Sequence, residues 1–461
     1  MSIIKNIKKE VGMKRFFVIA LALLLAVPAI SYAGSASSRW DVMIGGYIKM
    51  DFGYSDQMRA NRYAVPLRES KAREVAGDEY GNWFMTGIDT RLNMTIKGPD
   101  VWGMKTMGFI EGDFKGNGGT GTYNSQGNFR LRHAYIKLID KNFEITFAGN
   151  TSSVFGTKTG EGQSLLGLYD SEDPGLSVGR VRVPQINVEY FTLNKDLAFL
   201  IGIFANVNTV GTNYATGRIN SFTMGSTPFI HGRVRYSTDK CGKIGKDKLM
   251  LLVDGFYGTE KRAWDRTVAA RTQVTPTSVA AKFDDDDVDS WGVHGSFVLP
   301  ILPEKKGNKA GSLALSAYGF ITQNPGYMVP YGINSGYNYG LPGGTLDASA
   351  SYFRGGDFVA NTIHGWGPQV YFYITNEFMV DLFYAEVKAD QSKRYQNTAG
   401  QDTIEKIQQY GIVFSYDPNP ALKFTLAWNY NKADYARKYP ANGIGDEGKA
   451  NVFRFGAYYF F

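Results

Sequence analysis

The stretch FRFGAYYFF, Phe453 to Phe461, decides the fold. Read with period two, it sets Phe453, Phe455, Ala457, Tyr459 and Phe461 on one face and Arg454, Gly456, Tyr458 and Phe460 on the other. Five of its last seven residues are aromatic. A terminus frays unless something holds it, so this pattern predicts a strand with one wholly apolar side and an environment for that side. The same alternation recurs upstream. In ALKFTLAWNYNK (421–432), Leu422, Phe424, Leu426, Trp428 and Tyr430 alternate with Lys423, Thr425 and Asn429. In WDVMIGGYIKMDFGY (40–54) and TGIDTRLNMTIKG (86–98), apolar residues again alternate with Lys49, Asp51, Asp89, Arg91 and Asn93.

Sixteen such segments can be placed, at 40–54, 84–97, 104–114, 128–138, 142–150, 177–191, 197–206, 228–237, 248–258, 288–299, 312–323, 358–374, 378–388, 403–416, 421–431 and 451–461. Their connectors alternate, long at 55–83, 115–127, 151–176, 207–227, 259–287, 324–357, 389–402 and 432–450, shorter between. An even number of amphipathic strands with long loops on one side and tight turns on the other is the layout of a transmembrane antiparallel β-barrel. The fold expected is therefore all-β, a barrel of sixteen strands (eighteen being the neighbouring even count), with long external loops and short periplasmic turns. A soluble sandwich gives no reason for loops to alternate in length, and no repeat of 20–50 residues supports a solenoid or propeller.

The N-terminal segment and the composition agree. Lys14 and Arg15 precede an apolar run, FFVIALALLLAVPAI (16–30), followed by Ser31-Tyr32-Ala33, the pattern of a cleaved export signal. Residues 1–33 are expected to be a signal peptide, with Met13 a possible start, and 34–461 a single barrel domain. Removing 1–33 takes five basic residues and one acid, lowering the net charge from +7 to +3. The basic pI thus owes much to the leader and is no argument for nucleic acid. Mean hydropathy is only −0.25, as expected when each lipid-facing residue has a polar neighbour. The single Cys241 forms no internal disulfide, and no metal-ligand spacing occurs.

A Lys or Arg facing lipid near the midplane costs about 2–4 kcal/mol, whereas a lumen position costs little. Lys49, Arg91, Arg130, Arg132 and Lys423 are therefore expected to point inward. In GRVRVPQINVEY, Pro184 is expected to mark a bulge, so that Arg180 and Arg182 before it and Gln185, Asn187 and Glu189 after it all face the lumen. With Arg233 and Arg235 these form a basic wall. Arg stays ionised and offers a fixed fork of donors to carboxylates and phosphates, and walls of such charges set ion preference in pores. Mild anion preference follows, diluted by Glu111, Asp113, Glu144 and Glu189. Trp40, Tyr54, Trp428 and Tyr430 near segment ends suit interface girdles.

The stretches GYIKMDFGYSD (46–56), TRLNMTIKG (90–98), NFRLRHAYIKL (128–138) and NFEITFAGN (142–150), with Phe461, resemble Gram-negative outer-membrane porins, closest to the sixteen-stranded trimeric type. The resemblance implies a homotrimer of water-filled barrels in the bacterial outer membrane, in contact with lipid and lipopolysaccharide, with no cofactor and no chemical step. It implies that the third long loop, 151–176, folds inward to narrow the pore, presenting Glu161, Asp170, Glu172 and Asp173 to the arginine wall. It also implies that Phe455, Tyr459 and Phe461 act as the signal read by the barrel-assembly machinery. A channel selective for carboxylates or sugars is the alternative within the same fold.

Three motifs point elsewhere. GNGGTG (116–121) fits the dinucleotide fingerprint but leads into TYNSQGN rather than a helix, so a loop is expected. GLSVG (175–179) would make Ser177 a hydrolase nucleophile with His133, His231, His294 or His364 as partner. KFDDDDVD (282–289) places Asp284, Asp285, Asp286 and Asp287 at the end of a loop, where carboxylates suit a divalent cation. The absence of EF-hand spacing favours a solvated acidic run.

Overall fold

The computed structural model describes residues 40–56, 81–116, 127–152, 154–156, 182–205, 223–224, 227–265, 283–323, 351–354, 357–360, 362–390, 404–435 and 447–461. The expected leader lies outside them, and Trp40–Phe461 forms one compact unit. Sixteen staves make up the wall: β1 (Asp41–Ser55), β2 (Arg91–Val101, preceded in line by Asn82–Thr86), β3 (Met104–Gly116), β4 (Asn128–Ile139), β5 (Phe143–Ser152), β6 (Arg182–Thr192), β7 (Leu197–Phe204), β8 (Phe229–Ile244), β9 (Asp247–Asp265), β10 (Phe283–Leu302), β11 (Leu313–Gln323), β12 (Thr362–Tyr373), β13 (Phe378–Ala389), β14 (Ile404–Asn419), β15 (Leu422–Tyr435) and β16 (Glu447–Phe460). Each pairs antiparallel with its neighbour, and β16 returns to β1. Two pieces lie apart from the ring: Thr223–Met224 pairs with β9, and Ser351–Arg354 pairs with Asp357–Ala360. All sixteen predicted segments correspond to staves, so the count is sixteen and not eighteen.

Closure uses the stretch first singled out. Ile48 stands opposite Tyr459, Phe52 opposite Phe455 and Gly53 opposite Arg454. The Phe461 amide donates to the Gly46 carbonyl and the Gly46 amide to the Phe461 carbonyl, both at 3.2 Å. A sheet whose ends meet has no unpaired edge, the condition for spanning hydrocarbon. The aromatic face of β16 looks outward, with Phe453, Phe455, Tyr459 and Phe461 exposed, while Arg454 is buried inside.

The outer face carries Ile44, Ile48, Met50, Leu92, Ile110, Ile136, Ile186, Ile201, Val253, Val293, Leu382 and Leu426, all exposed. That is the apolar belt a lipid solvent allows. It ends sharply on β13–β16, where outward-facing residues turn polar. Lys432 bonds Glu447 at 2.8 Å, Lys406 bonds Asp434 at 2.9 Å, and Gln408 donates to Glu386 at 2.9 Å. Trp428 and Tyr430 sit at this transition on β15, as girdle residues should.

Four local departures from the sequence reading have physical causes. The second stave is interrupted at Gly87–Thr90, where the Thr90 amide bonds the Gly87 carbonyl at 3.0 Å, and the turn carries Asp89 into the wall's interior. Pro184 marks no bulge in its own strand, since Val183, Gln185 and Asn187 stay buried in unbroken alternation. The irregularity lies in the partner: β5 spends three steps from Ala148 to Thr151 while β6 spends two, from Gln185 to Val183. The missing proline N–H is thus accommodated by its neighbour. The acidic run Asp284–Asp287 lies within β10, in register with Trp264, Ala263, Arg262 and Lys261 of β9, rather than in a loop. Finally β8 and β9 overrun their predicted ends and meet at a two-residue turn, Gly245-Lys246.

Candidate pore lining and constriction

The basic wall is built by alternation on β2–β4. Arg91 on β2 stands opposite Asp113 on β3, and Asp113 opposite Arg130 on β4. Between Arg130 and His133 the β4 register slips, Leu131 facing Gly112 and His133 facing Glu111, so Arg132 is the extra residue of a bulge. A bulge changes which face a side chain serves. Here it turns both Arg132 and His133 inward, and both are buried.

The result is a compact ionic cluster. Arg130 grips Asp113 with a two-pronged fork, Nε to Oδ1 at 3.0 Å and Nη2 to Oδ2 at 2.6 Å. Arg132 bridges two carboxylates, Nε to Glu111 at 2.7 Å and Nη1 to Asp113 at 2.8 Å. Arg91 lies 3.9 Å from Glu111. Forked guanidinium–carboxylate bonds are among the stronger polar contacts and fix geometry as well as charge. Among the described residues three arginines meet two carboxylates here, and Arg130 keeps 31 % of its side chain exposed.

A second cluster repeats the arithmetic further round. Arg233 on β8 reaches Glu189 of β6 at 3.0 Å, and Arg235 reaches it at 3.6 Å. Among the described residues these two arginines share Glu189. A third cluster sits at the closure seam, where Lys49 lies 3.1 Å from Asp51 and 3.9 Å from Asp89, and Arg454 lies 3.4 Å from Asp51. Among the described residues it brings together two cations and two carboxylates. Of the predicted wall, Lys49, Arg91, Arg130, Arg132, Arg233 and Arg235 are therefore brought inside. Arg182 is half-buried in register with Ser152, with its charge near His133. Arg180, and the loop acids Glu161, Asp170, Glu172 and Asp173, lie outside the described residues, as do Ser177 and most of GNGGTG.

The wall facing these charges is aromatic, which sequence reasoning missed. Phe204, Phe229, Phe256, Tyr318 and Phe320 project inward from β7, β8, β9 and β11 and are buried. Gly258 permits this packing, since a Cβ there would come within 1.9 Å of the Phe229 ring. The available signal was an inward face in which rings replace polar residues, as in Phe229-x-His231 and Phe256-x-Gly258.

The segment after β5 crosses to this aromatic side. The Phe155 ring meets Phe256 edge-on at 4.9 Å and is fully buried. The Gly156 amide donates to Asp254 of β9 at 2.8 Å, and the same carboxylate bonds His294 of β10 at 2.9 Å. Asp254 is an acid among the apolar inward neighbours Met250, Leu252 and Phe256. A turn leaving β5 can reach β9, past β6, β7 and β8, only through the interior. Two further histidines are also engaged: His133 with Thr151 at 2.9 Å and His231 with Asn187 at 2.5 Å.

No protein-family model and no curated protein matches the sequence. Among solved structures, the outer membrane channel DcaP of Acinetobacter baumannii is similar over 92% of this chain and 97% of that one, at 19% identity and a TM-score of 0.63. An anion-selective porin from Comamonas acidovorans overlaps 92% of this chain and 100% of its own, at 12% identity and a TM-score of 0.49. The likeness to the first stands beside the closed ring, its apolar outer belt and the turn that crosses its interior: the chain has the sixteen-stranded barrel fold of an outer-membrane porin.

Proposed function

We propose that the protein is a passive outer-membrane channel with mild anion preference. Small hydrophilic solutes pass between an arginine wall on β2–β4 and β8 and an opposing side narrowed by the loop that follows β5. The observation that carries the reading is the gathering of arginines on the inward face among the described residues. Five arginines, Arg91, Arg130, Arg132, Arg233 and Arg235, stand on the inward face beside Glu111, Asp113 and Glu189, with Arg130 and Arg235 partly open to water. Pore walls of one sign favour the opposite ion, and the carboxylates among these arginines make the preference modest. Loop 151–176 acts as the constriction, entering through Val154–Gly156. The protein that resembles it over most of its length is itself an outer membrane channel. The chain works as a homotrimer, with Phe455, Tyr459 and Phe461 as its assembly signal, and no chemical step is involved.

Planar-bilayer recording of the purified full chain tests this. Discrete ohmic steps, with a reversal potential in a salt gradient displaced toward the anion, are expected. Absence of steps, or displacement toward the cation, overturns the reading.

A further inference from the structure

The overrun of β8 and β9 at the short-turn rim builds a feature that an open pore does not require. Their ladder pairs continuously from Ile230↔Tyr257 to Thr238↔Leu249, skips residues 239–242, and resumes at Lys243↔Lys248 and Ile244↔Asp247. Extra residues on one strand bend it. Gly242, at φ +86°, lets the bent segment run against Pro303, whose side chain would lie 2.4 Å from a Cβ there. The Glu304 amide then donates to the Lys243 carbonyl at 2.9 Å, and the Gly245 amide donates to the Glu304 carboxylate at 2.6 Å.

The tip goes further. Tyr371, an inward-facing residue of β12, donates its hydroxyl to Asp247 at 2.9 Å. Ile244 is buried in a cluster with Ala314 and Tyr371, inward-facing residues of β11 and β12, and with Met379 of β13. A hairpin that begins between β8 and β9 and docks on the inside of β11 and β12 has folded across the mouth. Ile244 and Asp247 form the docked face of its two-residue ladder. Lys243 and Lys248 belong to the opposite face, Lys243 exposed and Lys248 half-buried, with Lys246 exposed in the turn between.

Like charges directly opposite on paired strands repel, and the Asp247 and Glu304 carboxylates, held by the Tyr371 hydroxyl and the Gly245 amide, leave three lysines against two acids at the tip. Among the described residues, no carboxylate lies within ion-pair distance of Lys243, Lys246 or Lys248. Asp247 and Glu304 are engaged as above, Asp239 makes no ion pair with them, and Asp196 pairs with Lys240 at 3.8 Å.

We propose that this hairpin is a second selectivity station, at the periplasmic mouth, where Lys243, Lys246 and Lys248 attract small anions such as carboxylates and phosphates in series with the arginine wall. The inference rests on the channel reading above, but its residues are separate from that wall.

The test is reversal potential and current block by inorganic phosphate, on the full chain in planar bilayers. The variant Lys243→Gln/Lys246→Gln/Lys248→Gln is compared with Arg130→Gln and wild type. The triple variant is expected to lose about half of the anion preference and to need several-fold more phosphate for equal block. The lone Cys241, exposed beside the tip, gives a second readout. A thiol reagent bearing a sulfonate should lower anion preference when added to one chamber only, and Cys241→Ser should abolish that response. Unchanged selectivity and block in the triple variant, with Arg130→Gln still shifting them, overturn the inference alone. If neither variant shifts selectivity, the anion reading itself falls.

Discussion

Asp113 is the residue on which the arginine wall turns. It accepts both prongs of Arg130 and one donor of Arg132, and is itself almost wholly buried. Removing one member of a buried ion pair costs more than the pair contributes, because the other charge is left behind. Asp113→Asn should therefore reduce stability by about 3–5 kcal/mol and raise anion preference. Urea titration in vesicles and reversal potential check the two effects. Arg130→Gln removes one cation of the wall while Arg132 still serves Asp113, so selectivity should move toward the cation with a smaller loss of stability than Asp113→Asn. On the opposite side, Asp254→Ala severs the bond to Gly156 and leaves Phe155 as the remaining anchor. A charge-assisted bond of this kind contributes about 1.5–3 kcal/mol. The variant should show larger and noisier conductance steps.

At the scale of elements, alternation carried most of the information. Strands were legible because a lipid solvent forces one face to be apolar, so Ile48, Met50 and Phe52 announce β1 without reference to anything distant. Local pattern could not locate what depends on a partner strand. The proline of β6 suggested a bulge at Pro184, yet the bulge formed in β5 at Gly149-Asn150, because either strand can absorb a register mismatch. The bulge that turns Arg132 inward leaves no mark in NFRLRHAYIKL beyond two adjacent polar residues. The attachment of Gly156 to Asp254 joins positions 98 apart in sequence, and neither advertises the other. The outward assignment of β7 gives a direct test. Ile201→Lys places a charge at an exposed mid-strand position. It should cost about 2–4 kcal/mol in refolding titrations, whereas Thr95→Lys on the inward face of β2 should cost little.

For the whole molecule, the polar outward band on β13–β16 and the apolar belt beneath it fix how the barrel sits in a bilayer. Shortening the belt by placing Lys at both Leu382 and Leu426 should prevent insertion rather than alter conductance, as heat-modifiable mobility on a gel would reveal. The ring has a further consequence. Gly46 and Phe461 exchange both of their amide bonds, and an unbroken ladder from Tyr47 to Ser55 joins the first and last staves. A circular permutant, with the present ends bridged and new ends opened within 391–403, should refold from urea into the same barrel. On the proposal that Phe455, Tyr459 and Phe461 are the assembly signal, its fate inside a cell would differ, because FRFGAYYFF would then be an internal strand. Success in vitro with failure in vivo would separate what those nine residues do for the architecture from what they say to the machinery that delivers it.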